Sequence, residues 1–224
     1  MTDWHSLEPV YDGAIISVSR AEMRQRNGRL TRFDLVEHHG GAAVVPLLGD
    51  RVLLVRQRRP VVDEELLEIP AGKLESADDD PAARAQAELG EEVGYRAGRL
   101  IPVADFYVSP GYCTERIAVF LGLALEPVGA EPEATEDLET VALSLDEVRQ
   151  RLDEHRFRDC KIIFGLRLLL AYLAGADEGA LASRPRPRPR RRRGACPPSS
   201  TGSSTPTPPL PGCRCCCPSR SSTA

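Results

Sequence analysis

The sequence predicts an α+β fold, arranged as an α/β/α sandwich, followed by a disordered C-terminal tail. Strand-like and helix-like runs follow one another without the regular alternation that a doubly wound parallel sheet needs. All eleven aromatic residues lie between Trp4 and Tyr172, so the material for a core is confined to the first part of the 224-residue chain. A domain of that size buries about 70% of its unfolded surface, so it needs no disulfide or structural metal.

Four short runs in the first 60 residues predict strands. Residues 14–19 and 31–37 are two of them, with a turn near Gly28 between them. Gly41–Leu48 and 51–57 are apolar runs joined by Gly-Asp, which is a hairpin signal. These segments predict a small N-terminal β extension in residues 1–40 and the first hairpin of a larger domain, residues 41–178.

The rest of the domain predicts helices and strands in mixed order. Pro81–Val93 is a helix, because proline suits its first turn and Gly94 lies just past its end. Residues 100–107 and 117–125 predict strands that flank the loop SPGYCTE. A short helix over 145–154 begins after Ser144, a favourable N-cap, and an apolar helix is expected over 161–173.

Residues 179–224 differ in composition from the body. Beyond Ala182 the chain holds nine Arg, ten Pro and five Cys, with nothing to form a core, so we expect disorder. Residues 1–182 hold 20 Lys and Arg against 33 Asp and Glu, a net charge of −13, which argues against nucleic-acid binding by the body. The Arg run and the Cys cluster leave an anion-binding arm or a metal site as weaker alternatives to a tail without function.

The expected location is the cytoplasm. The N-terminal segment lacks the basic and apolar stretches of a secretory signal, and no run of apolar residues is long enough to span a membrane. Body cysteines Cys113 and Cys160 are far apart in the sequence, as expected in a reducing compartment.

The helix Pro81–Val93 carries a cluster of carboxylates. Glu88, Glu91 and Glu92 fall on one face, within about 60° of each other. Such crowding destabilises an isolated helix, but it suits a hard divalent cation such as Mg²⁺ or Mn²⁺. A solvated acidic face is the alternative. The preceding Pro70-Ala71-Gly72 turn favours the metal, because glycine lets backbone approach a ligand closely and a carbonyl can be aimed at the same ion.

These residues resemble the Nudix hydrolase box, G-x5-E-x7-REUxEExGU, in which U is a bulky apolar residue. Gly72 matches the first glycine, and the segment from Glu88 to Tyr95, ELGEEVGY, matches the end of the box. The resemblance implies a Nudix-type fold and a Mg²⁺-dependent enzyme in which Mn²⁺ can substitute. It implies Glu88, Glu91, Glu92 and the Ala71 carbonyl as metal ligands, with Glu91 also counted among the catalytic residues.

The sequence departs from the box in three places. Its loop is one residue longer, its first acid is Asp79 rather than Glu, and Ala87 stands where the family has arginine. That arginine would orient the glutamates, and the loss of such a partner costs about 10–100-fold in affinity or activity. Arg84, four residues before Glu88, is the candidate to replace it.

Other segments resemble the ADP-ribose pyrophosphatase branch of the family. Gln57, Arg59 and Glu68 occupy its Q-x-R and E-x-P-A-G positions, and SPGYCTE is similar to its S-P-G-[FY]-[ST]-[DE]-E loop, with Gly111 and Glu115. The resemblance implies that all five bind substrate. The alternative for the segment with Arg59 is an exposed basic strand end, and the alternative for SPGYCTE is an ordinary turn.

The branch also implies a loop glutamate that activates the attacking water. Glu136 is the first choice and Glu133 the second, both in EPEATEDLE. The implied function is cleavage of ADP-ribose, or a related nucleoside diphosphate sugar, to AMP and ribose 5-phosphate by a homodimer. No membrane or nucleic-acid partner is expected, and nucleic-acid binding by the Arg-rich tail is a lower option. Hydrolysis of GDP-mannose or a dinucleoside polyphosphate, and a non-catalytic ADP-ribose sensor, remain alternatives.

Overall fold

The computed structural model describes residues 4–76, 78–129 and 138–175. The strands in chain order are β1 (Trp4–Asp12), β2 (Ser17–Arg24), β3 (Leu30–Glu37), β4 (Gly41–Leu48), β5 (Arg51–Arg59), β6 (Glu64–Glu68), β7 (Ala71–Lys73), β8 (Tyr95–Tyr107), β9 (Arg116–Pro127) and β10 (Leu138–Ser144). The helices are α1 (Pro81–Val93), α2 (Leu145–Asp153) and α3 (Cys160–Leu173).

The first three strands form a separate antiparallel sheet in the order β1-β2-β3. β1 is exposed along almost its whole length, including the apolar side chains of Leu7, Val10 and Tyr11. Val36 at the end of β3 bridges to Cys113, so this sheet is tied to the loop between β8 and β9. The sheet therefore leaves an apolar edge strand uncovered.

The remaining seven strands form a mixed sheet with the order β10-β5-β4-β9-β8. β4 and β5 pair only at the hairpin end, where Leu48 lies opposite Arg51. Beyond it the two strands separate, β6 pairs with β5, and β7 pairs with β4. The chain therefore crosses from one half of the sheet to the other between Glu68 and Ala71, which places these two residues at the opening.

Helices cover both faces of this sheet. Alternate residues of β4 point to opposite sides, so Val44 packs with Leu89 of α1 while Val45 packs with Leu166 of α3. α2 joins the α3 side through Val148. The predicted α+β fold, arranged as an α/β/α sandwich, is confirmed.

Most predicted elements are confirmed, and the differences lie in weakly patterned segments. The expected bounds of α1 and β4 match the structure, and α3 begins one residue earlier than expected. The bounds expected for the strand over 14–19 are wrong, because the structure has this strand at Ser17–Arg24. β1, β6, β7 and β10 were not expected. The expected tail, residues 179–224, lies outside the described residues.

No helix in the described part of the chain is both long and apolar enough to cross a bilayer.

Candidate active site

Helix α1 is fixed at both ends by local chemistry. The Asp80 side chain accepts a hydrogen bond of 3.0 Å from the Ala82 N–H, and Pro81 occupies the first turn. Gly94 ends the helix at a φ of 77°, a left-handed conformation that glycine adopts without strain. These two caps fix where the helix begins and ends, and the packing of Ala85, Leu89 and Val93 against the sheet sets the direction in which its carboxylates face.

Two of the three clustered glutamates are buried against the turn before the helix. Glu88 is 4% exposed and Glu92 is 7% exposed. The Ala71 N–H donates to Glu92 Oε2 over 3.3 Å, and a methyl group at Gly72 would collide with the Glu88 carboxylate. Only glycine therefore lets the turn lie this close, and the structure brings together the predicted positions Ala71, Glu88 and Glu92.

Arg84 connects Glu91, the third glutamate, to Glu88. Its Nη2 contacts Glu88 Oε1 and lies 3.3 Å from Glu91 Oε2. Arg84 is one helical turn before Glu88, so its long side chain runs along the carboxylate face. The candidate for the replaced box arginine therefore does contact two of the glutamates.

The donor set fits a hard divalent cation, although the carboxylates do not yet converge on one point. Within residues 4–76, 78–129 and 138–175, no three His, Cys, Asp or Glu side chains form a ready metal-binding group. Glu88 and Glu91 turn toward Arg84, whereas Glu92 turns toward the Ala71 N–H. Carboxylate and carbonyl oxygens are the ligands that Mg²⁺ prefers, so the types of donor at this site fit such a cation.

Asp79 does not join the carboxylates. It accepts hydrogen bonds from the N–H of Glu75 at 2.7 Å and from the N–H and hydroxyl of Ser76 at 3.0 Å and 2.7 Å. The hydrogen bonds from Ser76 and Glu75 hold the pKa of this carboxyl below its usual value. The expected first acid of the box therefore closes the loop before α1.

A charged cluster lies beside the opening of the sheet. Arg59 binds Glu68 with two hydrogen bonds, Nε to Oε1 at 2.6 Å and Nη2 to Oε2 at 2.8 Å. Lys161 at the start of α3 reaches Glu68 Oε2 over 3.2 Å and Asp159 over 2.7 Å. Glu68 is only 2% exposed, whereas 43% of the Arg59 side chain remains accessible. The pair thus fixes a guanidinium whose outer part faces solvent.

This cluster lines a cleft of about 570 Å³. The other residues of its wall are Pro60, Val61, Val62, Leu66, Arg158 and Cys160. Gln57 and Arg59 lie on the same face of β5 as Val55, which packs with α1, whereas Asp159 and Lys161 come from the start of α3. The volume is in the range of small-molecule sites.

Within this cluster, Glu68 and Lys161 stabilise each other in their charged forms. Burial raises the pKa of Glu68, but the hydrogen bonds and charges of Arg59 and Lys161 outweigh it, and the pKa of Glu68 is lowered overall. Burial lowers the pKa of Lys161, and the neighbouring Asp159 and Glu68 raise it above its usual value. Glu68 and Lys161 are therefore both charged at neutral pH.

The loop that contains Gly111 and Glu115 is anchored to the end of β3. The Thr114 N–H donates to the Val36 carbonyl over 2.9 Å, and the His38 N–H donates to the Thr114 hydroxyl over 2.9 Å. Gly111 is exposed, with open space where a side chain would stand.

Glu115 lies some distance from the buried glutamates. In the sheet, Ala118 of β9 is level with Gly72 of β7, because both pair with Ala42. Glu115 is three residues before that level, about 10 Å along the strand direction. The structure therefore does not place Glu115 beside Glu88. The two loop candidates for the base, Glu133 and Glu136, lie outside the described residues.

Lys161 and Asp159 were missed by the sequence reasoning. Their partner Glu68 is 93 residues away from Lys161 in the chain, so no local pattern reveals the contact. The available signal was the Asp-Cys-Lys segment at the start of an otherwise apolar helix, where a lysine close to the core needs a carboxylate partner.

Comparison with known proteins identifies the family of the chain. Residues 37–163, more than half of the chain, match the NUDIX domain family. The chain belongs to the Nudix family. The matched segment of this Nudix protein contains the described site residues, from Gln57 to Lys161.

Individual relatives agree with this assignment. The chain is 30% identical over 165 residues to an ADP-ribose pyrophosphatase of Bacillus subtilis (strain 168), covering 72% of this chain and 89% of that protein. It is 32% identical over 168 residues to a GDP-mannose pyrophosphatase of Cronobacter sakazakii, covering 68% and 83%. A crystal structure of an ADP compounds hydrolase superposes with a TM-score of 0.69 at 21% identity, over 78% of this chain and 95% of that one.

Proposed function

We propose that this protein hydrolyses the diphosphate of ADP-ribose to AMP and ribose 5-phosphate in a reaction that depends on Mg²⁺, with Mn²⁺ as a substitute. The observation that carries the proposal is the contact of the Ala71-Gly72 turn with the buried Glu88 and Glu92, next to a cleft that holds Arg59. One water molecule is consumed and one phosphorus–oxygen bond is broken.

The metal would be held by Glu88, Glu91, Glu92 and the Ala71 carbonyl. When bound, a divalent cation neutralises charge on the diphosphate and lowers the pKa of a water molecule. The burial of Glu88 and Glu92 supports this role, because two carboxylates with so little exposure need a compensating cation. Arg84 supplies part of that compensation in the structure.

Arg59 is the proposed diphosphate ligand. Glu68 holds its guanidinium from one side and also accepts a hydrogen bond from Lys161, and the accessible part of Arg59 faces the cleft. A planar guanidinium forms paired hydrogen bonds with phosphate oxygens. Glu68 therefore acts here by orienting Arg59, while Gln57, Gly111 and Glu115 remain proposed contacts of the sugar or nucleotide part.

The proton of the attacking water would be accepted by a carboxylate from the segment 130–137. Glu136 is the proposed base and Glu133 the second choice. Glu91 is the box residue that is also proposed as catalytic. The general requirement is a carboxylate within hydrogen-bond reach of the water in the substrate complex.

The proposed assembly is a homodimer in the cytoplasm. β1 supports it, because the exposed Leu7, Val10 and Tyr11 form an apolar edge strand, and an edge strand is a ready pairing surface for a second copy. The proposal includes no membrane or nucleic-acid partner.

The decisive experiment measures AMP release from ADP-ribose with Mg²⁺, with and without EDTA, beside GDP-mannose and diadenosine polyphosphates. We expect metal-dependent AMP formation, fastest from ADP-ribose. Faster turnover of another substrate would retain the metal site and reject the substrate. Binding of ADP-ribose with no turnover of any compound would identify a sensor.

Two variants test the site itself. Glu92→Gln should remove most turnover and leave the fold intact, because it removes a charged ligand without changing shape. Glu65→Gln is the matched control, since Glu65 is an exposed residue on the opposite face of β6 from Glu68. A Glu92→Gln protein with a near-normal rate would contradict the ligand assignment.

A further inference from the structure

We propose that Arg84 is the positioning residue that replaces the missing box arginine and limits the rotation of Glu88 and Glu91, so that both stay on the helix face that binds metal. The inference rests on the proposed function, which it deepens by assigning a role to a residue outside the box pattern. Ala87 stands at the box position, and its methyl group cannot contact a carboxylate through a hydrogen bond.

Helix geometry explains why position 84 can take over from position 87. At 100° and 1.5 Å per residue, position 84 is about 40° from Glu88 around the helix axis and about 6 Å before it along the axis. A side chain at position 84 therefore runs along the same face as Glu88, and arginine is long enough to span one turn. Arg84 Nη2 does so, with contacts to Glu88 Oε1 and Glu91 Oε2.

The surroundings of Arg84 restrict where its guanidinium can lie. A methyl group on Gly72 would lie 2.8 Å from Arg84 Nε, so the guanidinium packs against the turn as well as against the glutamates. About one third of its side chain is exposed, so its charge is only partly screened by water. Arg84 is therefore fixed by the turn on one side and by two carboxylates on the other.

This arrangement has a consequence for metal binding. Glu88 and Glu91 are successive members of one helix face, and without a cation between them their like charges would push the side chains apart. An arginine that contacts one oxygen of each limits their rotation before the metal arrives. Partners that orient metal ligands in this way typically contribute about 10–100-fold in affinity or activity.

The test uses four forms of the full chain beside the wild type: Arg84→Ala, Arg84→Lys, Ala87→Arg and the double variant Arg84→Ala/Ala87→Arg. Arg149→Ala is the matched control, because Arg149 also forms an ion pair with a carboxylate within its helix, Asp146 at 2.8 Å, but lies on α2. The readouts are Mn²⁺ affinity by electron paramagnetic resonance without substrate, and kcat and KM for ADP-ribose with Mg²⁺.

We expect Arg84→Ala to weaken Mn²⁺ binding by about 10-fold or more and to lower kcat by about 10–100-fold, with a smaller change in KM. Arg84→Lys should fall between wild type and Arg84→Ala, because lysine keeps the charge and loses the forked geometry. The double variant should recover at least half of the lost Mn²⁺ affinity on a logarithmic scale, since it restores the family arrangement. Arg149→Ala should match the wild type.

Four results would overturn the proposal. Tighter Mn²⁺ binding by Arg84→Ala would show that Arg84 competes with the metal. Unchanged Mn²⁺ affinity and kcat, or a loss that Ala87→Arg does not rescue in a folded double variant, would show that Arg84 has no positioning role. A wild type that binds Mn²⁺ but does not cleave ADP-ribose would reject the substrate and leave the Arg84 test in force, whereas a wild type that binds no Mn²⁺ would reject both.

Discussion

The buried ion-pair cluster around Glu68 gives the sharpest stability prediction. Glu68→Gln keeps the size of the side chain and removes the charge that accepts two hydrogen bonds from Arg59 and one from Lys161. Breaking a buried pair by removing one partner costs about 3–5 kcal/mol. Arg59 is partly accessible and can regain water, so we expect the lower end, about 3 kcal/mol.

That free energy converts to a measurable shift of the melting temperature. For a domain of 150–250 residues, 1 kcal/mol lowers Tm by about 2–4 °C, so Glu68→Gln should lower it by about 6–12 °C. Glu139→Gln is the control, because Glu139 forms an ion pair with Arg56 at 3.1 Å in which both side chains are exposed. Such a surface pair contributes about 1 kcal/mol at most.

Scanning calorimetry at neutral pH measures both variants. Equal melting temperatures for Glu68→Gln and Glu139→Gln would refute the reasoning, since they would show that the buried carboxylate carries no more stabilisation than an exposed one. A drop for Glu68→Gln that disappears in a Lys161→Ala background would show instead that the stabilisation depends on the lysine.

Three further predictions concern pH, the turn and the assembly. Because the folded pKa of Glu68 is lowered, its contribution to the free energy of unfolding is complete above the usual glutamate pKa of about 4.3 and is lost as pH falls through the folded pKa, so wild type and Glu68→Gln should converge in urea unfolding as pH falls below that usual value; a constant gap would contradict this. Gly72→Ala should displace Glu88, lower kcat at least about 10-fold and cost about 1–3 kcal/mol in thermal unfolding. Gly90→Ala on α1, the helix that carries Glu88, should be neutral or stabilising, and equal effects of the two variants would reject the close contact. Leu7→Glu should give a monomer in light scattering where Glu8→Gln stays dimeric, and an unchanged mass would remove β1 from the interface.

The sequence predicted best those elements whose signals are local. Helix α1 is the clearest case, because Asp80, Pro81 and Gly94 specify its two ends within the segment itself. The hairpin of β4 and β5 is a second case, since two apolar runs flank a turn that glycine permits. In each case the residues that decide the structure are neighbours in the chain.

The elements that were missed depend on distant partners. β7 has only three residues and becomes a strand because β4 separates from β5 and leaves its edge free to pair. β6 fills the other side of the same opening. The strand at Ser17–Arg24 is rich in polar residues, so its register is decided by β1 and β3 on either side and not by its own pattern.

The residues of the candidate site show the same difference between local signals and distant partners. The box positions Gly72, Glu88 and Glu92 could be predicted because they lie on one turn and one helix. The coupling of Arg59 to Glu68 links two strands of one hairpin, and Lys161 joins them from a helix 93 residues later than Glu68. Chemistry at the opening of the sheet therefore depends on a residue that the local pattern does not mark.

The arginine of the box shows how a linear pattern can understate a three-dimensional site. Read along the sequence, Ala87 is a lost contact, and that loss is the one feature that favoured a sensor over an enzyme. On the helix, position 84 faces Glu88 more directly than position 87 does, because four residues return to within about 40° whereas one residue turns by about 100°. Since Arg84 contacts both Glu88 and Glu91, the alanine at position 87 no longer counts by itself against catalysis. The choice between an enzyme and a sensor then depends on the metal and on the base in segment 130–137, which are the two points that Mn²⁺ binding and AMP release measure separately.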